Sequence, residues 1–360
     1  MAETPVPVTF VSSSAEVGGA ELLLVSLLDS LGAGWVETVV IPAPGELADR
    51  VRSAGHRVEI VPFGRRLGLL LAAVRLRRLL SRNRAGIVHA NGSRAALVGA
   101  LAAGRRRGLI WLRVDRTLDG RAGAWIARRC ARVVAISRNT LEGLGDAAAG
   151  RAEVVYPGVP DFDVDREAGR EFARSLLECP PDAELIVLSG RLGPAKGQSE
   201  LLAAAPAVFD ARPTARIVFL GGPRAAFPGY AAELRDRARA LGIEARVHFL
   251  GHRPGGIGSV ADAVRLVSGC DLLVAPSRRE PPYGWQEGFG LAVAEAMRVG
   301  TPVVAYRNGS LPEVLDDPQR RERMASCGRE RAARHFRRDE AVAALRAIYA
   351  ATAAGRAPAR

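Results

Sequence analysis

The chain has 360 residues, 48% of them hydrophobic, which excludes a disordered or fibrous protein and favours two domains of ordinary size. Four widely spaced cysteines without a CxxC pair indicate neither a disulfide framework nor a structural zinc site. The formal net charge of +13 favours an anionic partner, although codon bias in a GC-rich bacterial genome would give the same arginine-rich composition.

Six short runs rich in β-branched residues alternate with segments of helical length in the first half of the chain. These runs cover residues 8–11, 36–41, 58–61, 86–90, 109–114 and 132–136. The alternation predicts βαβ units on a parallel sheet with helices on both faces.

A second series of strands follows a linker rich in proline and aspartate near residue 160. Its members cover residues 185–189, 216–220, 247–250, 272–275 and 303–305. The sequence therefore predicts an α/β protein with two open domains, residues 1–163 and 164–337, and a C-terminal helix over 338–360 that packs back on the first domain. Because ligands of open parallel sheets bind beyond the carboxyl ends of strands, functional residues should directly follow strands.

The only lysine, among 51 basic residues, lies in the loop after the strand at 185–189. Arg191 and Lys196 occupy this loop, and the next helix is expected to begin near Gln198. Two cations at the carboxyl edge of a sheet, beside a helix N-terminus, predict a site for a diphosphate. The alternative is a solvated basic loop, but a single lysine in an arginine-rich chain favours a specific need for a compact charge.

A second motif, EGFGLAVAE, follows the strand at 272–275 and contains two glutamates eight residues apart. Glu287 is expected in a loop, and Glu295 in the helix after it. The amides near Phe289, Gly290 and Leu291 would then be free to hold a phosphate or a sugar hydroxyl. A carboxylate accepts hydrogen bonds from paired hydroxyls, so Glu295 suits a ribose and Glu287 a sugar ring. The alternative is an ordinary helix with acidic residues near its start.

The loop after the first strand contains Gly18 and Gly19, which permit a close approach to phosphate. Glu21 falls in the first turn of the following helix, where an acidic residue is favourable in any case. The loop is not GxGxxG, and no acidic residue ends the second strand. A dinucleotide-dependent dehydrogenase is therefore poorly supported.

Together these motifs resemble the retaining glycosyltransferases of the GT-B type, which have two Rossmann-like domains facing each other across a cleft, and in particular family 4. The matching segments follow the expected order over about 290 residues of the chain. They are GGAE (18–21), IVHANG (87–92), VVYPGV (154–159), GRLGPAKG (190–197), FLGHR (249–253), DLLVAPS (271–277), EGFGLAVAEAM (287–297) and GTPVVA (300–305).

The resemblance implies a nucleotide-diphosphate sugar, most often UDP- or GDP-linked, as the donor substrate, with no cofactor and no essential metal. It implies that the second domain binds this donor and the first domain the acceptor. Arg191 and Lys196 would neutralise the diphosphate, and Glu287 with the amides after it would orient the sugar. The resemblance also assigns Glu295 to the ribose and the loop with Gly251 and Arg253 to the base.

Three departures from the family pattern concern the first domain, the linker and the end of the second domain. The strand that commonly ends with a histidine contacting the donor sugar here offers Arg113 and Asp115. Asp115 is one candidate substitute; His89 is another, or is a packed core histidine. The usual Asn of the linker motif is Pro157. The stretch 311–336 lacks an expected strand and helix, so the second domain is expected to be shortened. A catalytically degenerate binding or partner subunit and a nucleotide-sugar epimerase are the alternatives.

A basic segment at 65–84 has leucines at helical spacing and suggests a peripheral contact with an anionic membrane, or an ordinary helix with an arginine-coated outer face. No apolar run reaches the roughly 18 residues of a membrane span, and we expect a cytoplasmic protein. The acceptor is left open between a glycan, a lipid and a small natural product. Nucleic acid is not expected, because the arginines are dispersed and only 5% of the residues are aromatic.

Overall fold

The computed structural model describes residues 4–32, 34–64, 67–104, 107–251, 259–278, 286–315 and 324–355. The chain divides into two compact units. The first combines Met1–Gly158 with Arg338–Arg360, and the second is Val159–Arg337. The first division therefore falls at 158, where the sequence suggests 163.

The first unit contains a parallel sheet whose seven described strands run in the order β3-β2-β1-β4-β5-β6-β7. The strands are β1 Val8–Ser12, β2 Val36–Ile41, β3 Val58–Ile60, β4 Ile87–Asn91, β5 Gly108–Arg113, β6 Arg132–Ala135 and β7 Ala152–Val154. The helices are α1 Gly19–Leu31, α2 Glu46–Ser53, α3 Leu67–Arg82, α4 Ser93–Ala102, α5 Gly120–Ala127 and α6 Arg138–Glu142. The chain order reverses between β1 and β4, so the loops after these two strands border one crevice.

The second unit contains a parallel sheet whose five described strands run in the order β10-β9-β8-β11-β12. The strands are β8 Glu184–Ser189, β9 Ala215–Leu220, β10 Val247–Leu250, β11 Leu272–Ala275 and β12 Val303–Ala305. The helices are α7 Arg166–Leu177, α8 Gln198–Ala211, α9 Tyr230–Ala240, α10 Val260–Gly269, α11 Leu291–Arg298, α12 Leu311–Leu315 and α13 Met324–His335. The reversal lies between β8 and β11, whose loops carry the candidate donor motifs.

All eleven predicted strands are present, which confirms the α/β prediction of two open parallel sheets. The three-residue edge strand β7 was not predicted, because Ala152 and Glu153 have little preference for strands. The predicted loss of an edge unit concerns residues 311–336. Among the described residues this stretch contains the helices α12 and α13, and residues 316–323 lie outside the described residues.

The last helix, α14 (Arg338–Ala354), packs on the first unit, although it follows the second in sequence. Its Tyr349 is fully buried, and the hydroxyl lies 2.8 Å from Nδ1 of His89 on β4. Arg346 donates hydrogen bonds of 2.9 Å to the carbonyls of Ser30 and Leu31 at the end of α1. The C-terminal helix therefore completes the core of the first unit.

Replacing Tyr349 by Phe should destabilise the first unit, because it leaves a buried nitrogen of His89 without its partner. The expected loss is about 1–3 kcal/mol, or about 2–4 °C of melting temperature per kcal/mol for a unit of this size. Thermal unfolding measures the change. Tyr306→Phe, at a side chain that is 53% exposed, is the control and should change little. An unchanged melting temperature for Tyr349→Phe would show that the buried hydrogen bond contributes nothing.

Candidate functional site

Two loops meet where the strand order of the second sheet reverses. Gly197, after β8, has φ +80°, and a Cβ added there would lie 2.2 Å from the carbonyl oxygen of Pro276, after β11. The amide of Arg278 donates to the carbonyl of Ala195 over 3.0 Å. Only glycine allows so close an approach in this conformation, so the two loops are held against each other.

This contact brings Lys196 next to Glu287, although 91 residues separate them in sequence. Lys196 Nζ lies 2.8 Å from Glu287 Oε2, and the hydroxyl of Ser277 donates to the same oxygen over 3.4 Å. The lysine side chain is 28% exposed and the glutamate 14%. The pair is therefore partly desolvated but open enough for an anion to reach the ammonium group.

The backbone of Glu287 is fixed by the turn that follows β12. Gly309 has φ +59°, and a Cβ added there would lie 2.2 Å from the carbonyl oxygen of Glu287. The amide and the hydroxyl of Ser310 donate to that oxygen over 3.0 and 3.1 Å. The carboxylate thus projects from a backbone held on two sides. The role of this turn was not predicted, although Asn308-Gly309 after a strand is a recognisable turn signal.

Helix α11 begins directly after this glutamate loop. Gly290 caps it in a left-handed conformation with φ +87°, and Leu291 is its first residue. The first amides of a helix have no acceptor within the helix and carry its positive dipole end. Phe289 buries its side chain edge-on against Phe336 at 5.2 Å between ring centroids, so the ring itself cannot contact a ligand.

Glu295 lies one turn further along α11. Within the described part of the chain, its carboxylate has no hydrogen-bond or ion-pair partner. Although some of the side chain reaches the surface, burial by surrounding protein atoms raises its pKa to about 7. A ligand hydroxyl that donates a hydrogen bond to this desolvated carboxylate would stabilise its charged form.

Arg191 begins the loop after β8, and its carbonyl accepts a hydrogen bond of 3.2 Å from Gln198 Nε2. Gly190, before it, has φ +149°, and a Cβ added there would lie 3.6 Å from Lys196 Cε. The lysine side chain therefore lies against the backbone of Gly190, the residue that precedes Arg191. Gly251 ends a described segment, and Arg253 lies outside the described residues.

Asp115 lies at the corresponding edge of the first unit, where it fastens two segments. Its Oδ1 accepts from the Ser93 hydroxyl over 2.8 Å and from the Thr117 amide over 2.9 Å. Its Oδ2 accepts from the Ser93 amide over 3.3 Å, at the start of α4. These hydrogen bonds join the loop after β5 to the start of α4, so the Asp115 carboxylate stabilises the local structure. A catalytic role for it remains a prediction.

The structure corrects the suggestion that His89 contacts substrate. The histidine is fully buried in β4, its ring lies 5.0 Å from that of Phe10, and it bonds to Tyr349. Burial lowers its pKa to about 3. A neutral ring with no exposed surface cannot reach a ligand, so His89 is the packed core histidine that the sequence left as an alternative.

Arg113 occupies the strand end where the family pattern commonly has a histidine. Its side chain is also buried and is not exposed at the edge of the sheet. It is fully buried, donates to the carbonyl of Thr140 and pairs with Asp119. Burial is the largest influence on its guanidinium and lowers its pKa, against the opposing effect of Asp119. Arg113 thus supports the fold of the first unit.

Gly18 and Gly19 lie in the first unit, at the start of α1. The Gly18 amide donates to Glu21 Oε2 over 3.2 Å, so this donor is already in use. Gly19 is exposed. Among the described residues, no three His, Cys, Asp or Glu side chains form a group that could hold a metal ion, and no helix is long and apolar enough to cross a membrane.

Two family models match the chain. The model described as glycosyl transferases group 1 matches residues 170–338, and that described as glycosyltransferase family 4 matches residues 17–161. D-inositol 3-phosphate glycosyltransferases from Mycobacterium tuberculosis H37Rv and Mycobacterium bovis are 37% identical to the chain over 174 residues. That match covers 48% of this chain, which spans only 33% of the relatives' length.

Solved structures resemble the chain over nearly its whole length. Anabaena Alr3699/HepE, solved with UDP and glucose, has a TM-score of 0.79 and 24% identity, covering 95% of this chain and 99% of that one. Sucrose-phosphate synthase from Thermosynechococcus elongatus has a TM-score of 0.73 and 17% identity, covering 97% and 100%. These likenesses establish the fold: two Rossmann-like domains of the GT-B type.

The pKa of Glu295 generates a testable pH dependence. If the carboxylate accepts hydrogen bonds from a ribose diol, nucleotide affinity should rise as pH passes upward through about 7, because only the deprotonated form is a pure acceptor. Between pH 6 and 8 the expected gain is about tenfold. Titration of UDP against wild type and Glu295→Gln measures it. The variant should bind more weakly at pH 8 and lose this part of the pH dependence; an identical pH profile would rule out the contact.

Proposed function

The chain belongs to the group 1 glycosyl transferases, and from that premise we propose that it transfers a hexose-like sugar from a nucleotide diphosphate to a hydroxyl acceptor. We further propose that the reaction retains the anomeric configuration and needs no metal ion. The observation that carries the proposal is the pairing of Lys196 with Glu287 beside the N-terminus of α11, at the reversal of strand order in the second sheet.

In this proposal, the diphosphate is neutralised by fixed positive charge. Lys196 and Arg191 supply cations, and the first amides of α11 supply oriented donors. Negative charge grows on the leaving nucleotide as the glycosidic bond breaks, so groups already in place stabilise the transition state more than the bound donor. This stabilisation is the chemical task that a metal ion performs in other diphosphate sites.

The proposal also explains why position 196 is a lysine. Its side chain lies against the backbone of Gly190, and its loop is held against Pro276 through Gly197. The space suits a slender aliphatic stem with a compact charge, whereas a planar guanidinium is wider and needs a fork of acceptors. Lysine can therefore exchange its contact with Glu287 for one with a phosphate oxygen by a small rotation.

Glu287 is then proposed to have two partners in turn. Before the donor binds, its carboxylate holds the lysine at 2.8 Å. When a phosphate takes the ammonium group, the carboxylate is free to accept hydrogen bonds from hydroxyls of the transferred sugar. We propose that Glu295 binds the ribose in the same way.

We propose a UDP-linked donor, with a GDP-linked one as the alternative. Support comes from the Anabaena protein, which was solved with UDP-glucose and resembles this chain over 97% of its length. The acceptor is proposed to be a hydroxyl compound bound by the first unit. Cytoplasmic location stays a prediction.

A catalytically degenerate binding or partner subunit is the second candidate. It is favoured by the first unit, where Arg113 and Asp115 are both engaged in internal hydrogen bonds and no histidine takes the family position. Such a protein would bind the nucleotide sugar without turning it over. An epimerase would instead release isomerised donor in the absence of acceptor.

Lys196→Ala should lower kcat/KM for transfer by about a hundredfold to a thousandfold, the effect of removing one preorganised charge from a transition state. Lys196→Arg should also impair transfer despite keeping the charge, because the wider group does not fit. Arg239→Ala, on an exposed arginine of α9, removes a charge elsewhere in the same unit and should leave the rate unchanged. Full activity of either Lys196 variant would contradict the assignment.

A thermal-shift panel of UDP, GDP, ADP and dTDP, with their common sugar conjugates, identifies the base. One nucleotide family should raise the melting temperature of wild type but not of Lys196→Ala, because only a bound ligand stabilises the folded state. Stabilisation without turnover against any acceptor would favour the degenerate subunit. No stabilisation by any member of the panel would oppose the donor site itself.

A further inference from the structure

Helix α3 exposes a continuous apolar strip to solvent. Four of the seven exposed large hydrophobic side chains of the described residues lie on its first two turns. They are Leu67, 75% exposed, Leu70, 53%, Leu71, 60%, and Val74, 48%. Their spacing of three and four residues places them on one face. The opposite face already packs into the core through Ala72, Ala73, Leu76 and Leu80, so the fold does not need this second apolar face.

The same face becomes cationic in the last two turns of the helix. Arg77 and Arg78 follow Val74 by three and four residues, and Arg82 follows Arg78 by four, which continues the strip. All three arginines are exposed, and none has an ion-pair partner among the described residues. The outer face of α3 is therefore apolar at one end and positively charged at the other.

The surrounding segment, residues 60–114, is the longest stretch of the chain without an acidic residue. Residues 60–114 contain 12 arginines and no acidic residue, so this stretch alone supplies nearly all of the formal net charge of +13. The other 38 arginines are spread over the rest of the chain together with all 38 acidic residues, so the net positive charge, and not arginine itself, is concentrated in residues 60–114. Elsewhere, arginines commonly pair with carboxylates, as Arg50 does with Glu46 on α2.

From these observations we propose that α3 docks the protein on an anionic lipid surface, with Leu67, Leu70, Leu71 and Val74 entering the headgroup boundary and Arg77, Arg78 and Arg82 contacting lipid phosphates. An amphipathic helix lying in the interface combines these two contributions. A nucleic acid would be attracted by the arginines but would leave the leucine strip exposed, because its backbone offers phosphate and not an apolar layer.

The position of α3 relative to the sheet indicates which edge of the first unit would face the lipid surface, and therefore where an acceptor in that surface would lie. In a parallel sheet the helix that follows a strand begins at the carboxyl edge, so the apolar end of α3 lies at the edge that carries Ser93 and Asp115. Arg94 Nη2 donates to the carbonyl of Phe63 over 2.8 Å and ties the start of α4 to the loop before α3. A bilayer at this end would present a hydroxyl acceptor carried by a lipid. This corollary rests on the proposed function, whereas the proposal that α3 docks on a lipid surface does not depend on it.

The test is co-sedimentation of the full chain with vesicles of phosphatidylcholine alone and of phosphatidylcholine mixed equally with phosphatidylglycerol. Wild type should bind the mixed vesicles, should not bind the neutral ones, and should dissociate as salt is raised. Removing two charges with Arg77→Gln and Arg78→Gln should weaken binding about thirtyfold. Removing two apolar side chains with Leu70→Ser and Leu71→Ser should weaken it by about tenfold or more.

Matched controls separate the helix from general charge and general hydrophobicity. Arg237→Gln with Arg239→Gln removes two charges from exposed positions on α9, and Leu241→Ser alters a leucine that is 39% exposed at its end. Both controls should bind like wild type, and unchanged thermal unfolding should accompany every variant because all the sites are exposed. Vesicle binding needs no turnover, so its result is independent of the donor site.

Three results would overturn the proposal. Failure of wild type to bind mixed vesicles is the first, and full binding by Leu70→Ser with Leu71→Ser is the second, since it would leave only charge adsorption. The third is tighter binding to duplex DNA or RNA than to vesicles at the same salt concentration, which would assign the arginines to a nucleic acid.

Discussion

The close packing of the loops after β8 and β11 is the constraint on which the candidate donor site depends. Gly197 lets the first loop meet the carbonyl of Pro276, and that meeting sets Lys196 beside Glu287. Because both loops leave the sheet where strand order reverses, they border the crevice in which ligands of open parallel sheets bind. A larger residue at position 197 would separate the loops and, with them, the two charges.

The ion pair between Lys196 and Glu287 is better suited to exchanging one partner for a ligand than to stabilising the fold. A partly exposed pair contributes little to the free energy of folding, since solvent screens it and two flexible side chains must be ordered. Holding Lys196 in place before the donor arrives reduces the reorganisation that binding requires. The same logic applies to Glu295, whose carboxylate is desolvated without a partner in the described chain and gains from a ligand that supplies donors.

The sequence predicted eleven of the twelve described strands, because each of the eleven is a short run rich in apolar residues; the edge strand β7, which begins with Ala152 and Glu153, lacks that signal. It also predicted that Lys196 and Glu287 lie in loops that follow strands, as the structure shows; their roles toward a ligand stay a prediction. It could not predict that these two side chains bond to each other, because that depends on how loops 91 residues apart pack.

His89 and Arg113 show a second property that the sequence did not predict, namely which polar residues of a buried strand are covered by other parts of the chain. In strands buried on both faces, alternation of polar and apolar residues no longer shows which side chains reach an edge. His89 is covered by Tyr349, 260 residues later in the chain, and Arg113 is turned inward by Asp119. The concentration of positive charge in residues 60–114 is visible in the sequence. Only the structure shows that the leucines of α3 are exposed beside this charge, which favours a lipid surface as the partner.

The central claim is that Lys196 recognises a diphosphate, and the most direct test compares the binding of UDP with that of uridine, by calorimetry or displacement, in wild type and Lys196→Ala. If the ammonium group contacts a phosphate oxygen, the substitution should lower the affinity for UDP by about tenfold to a hundredfold, as expected for a hydrogen bond to a charged group, and leave uridine unaffected. Equal losses for both ligands, or no loss for UDP, would contradict the claim.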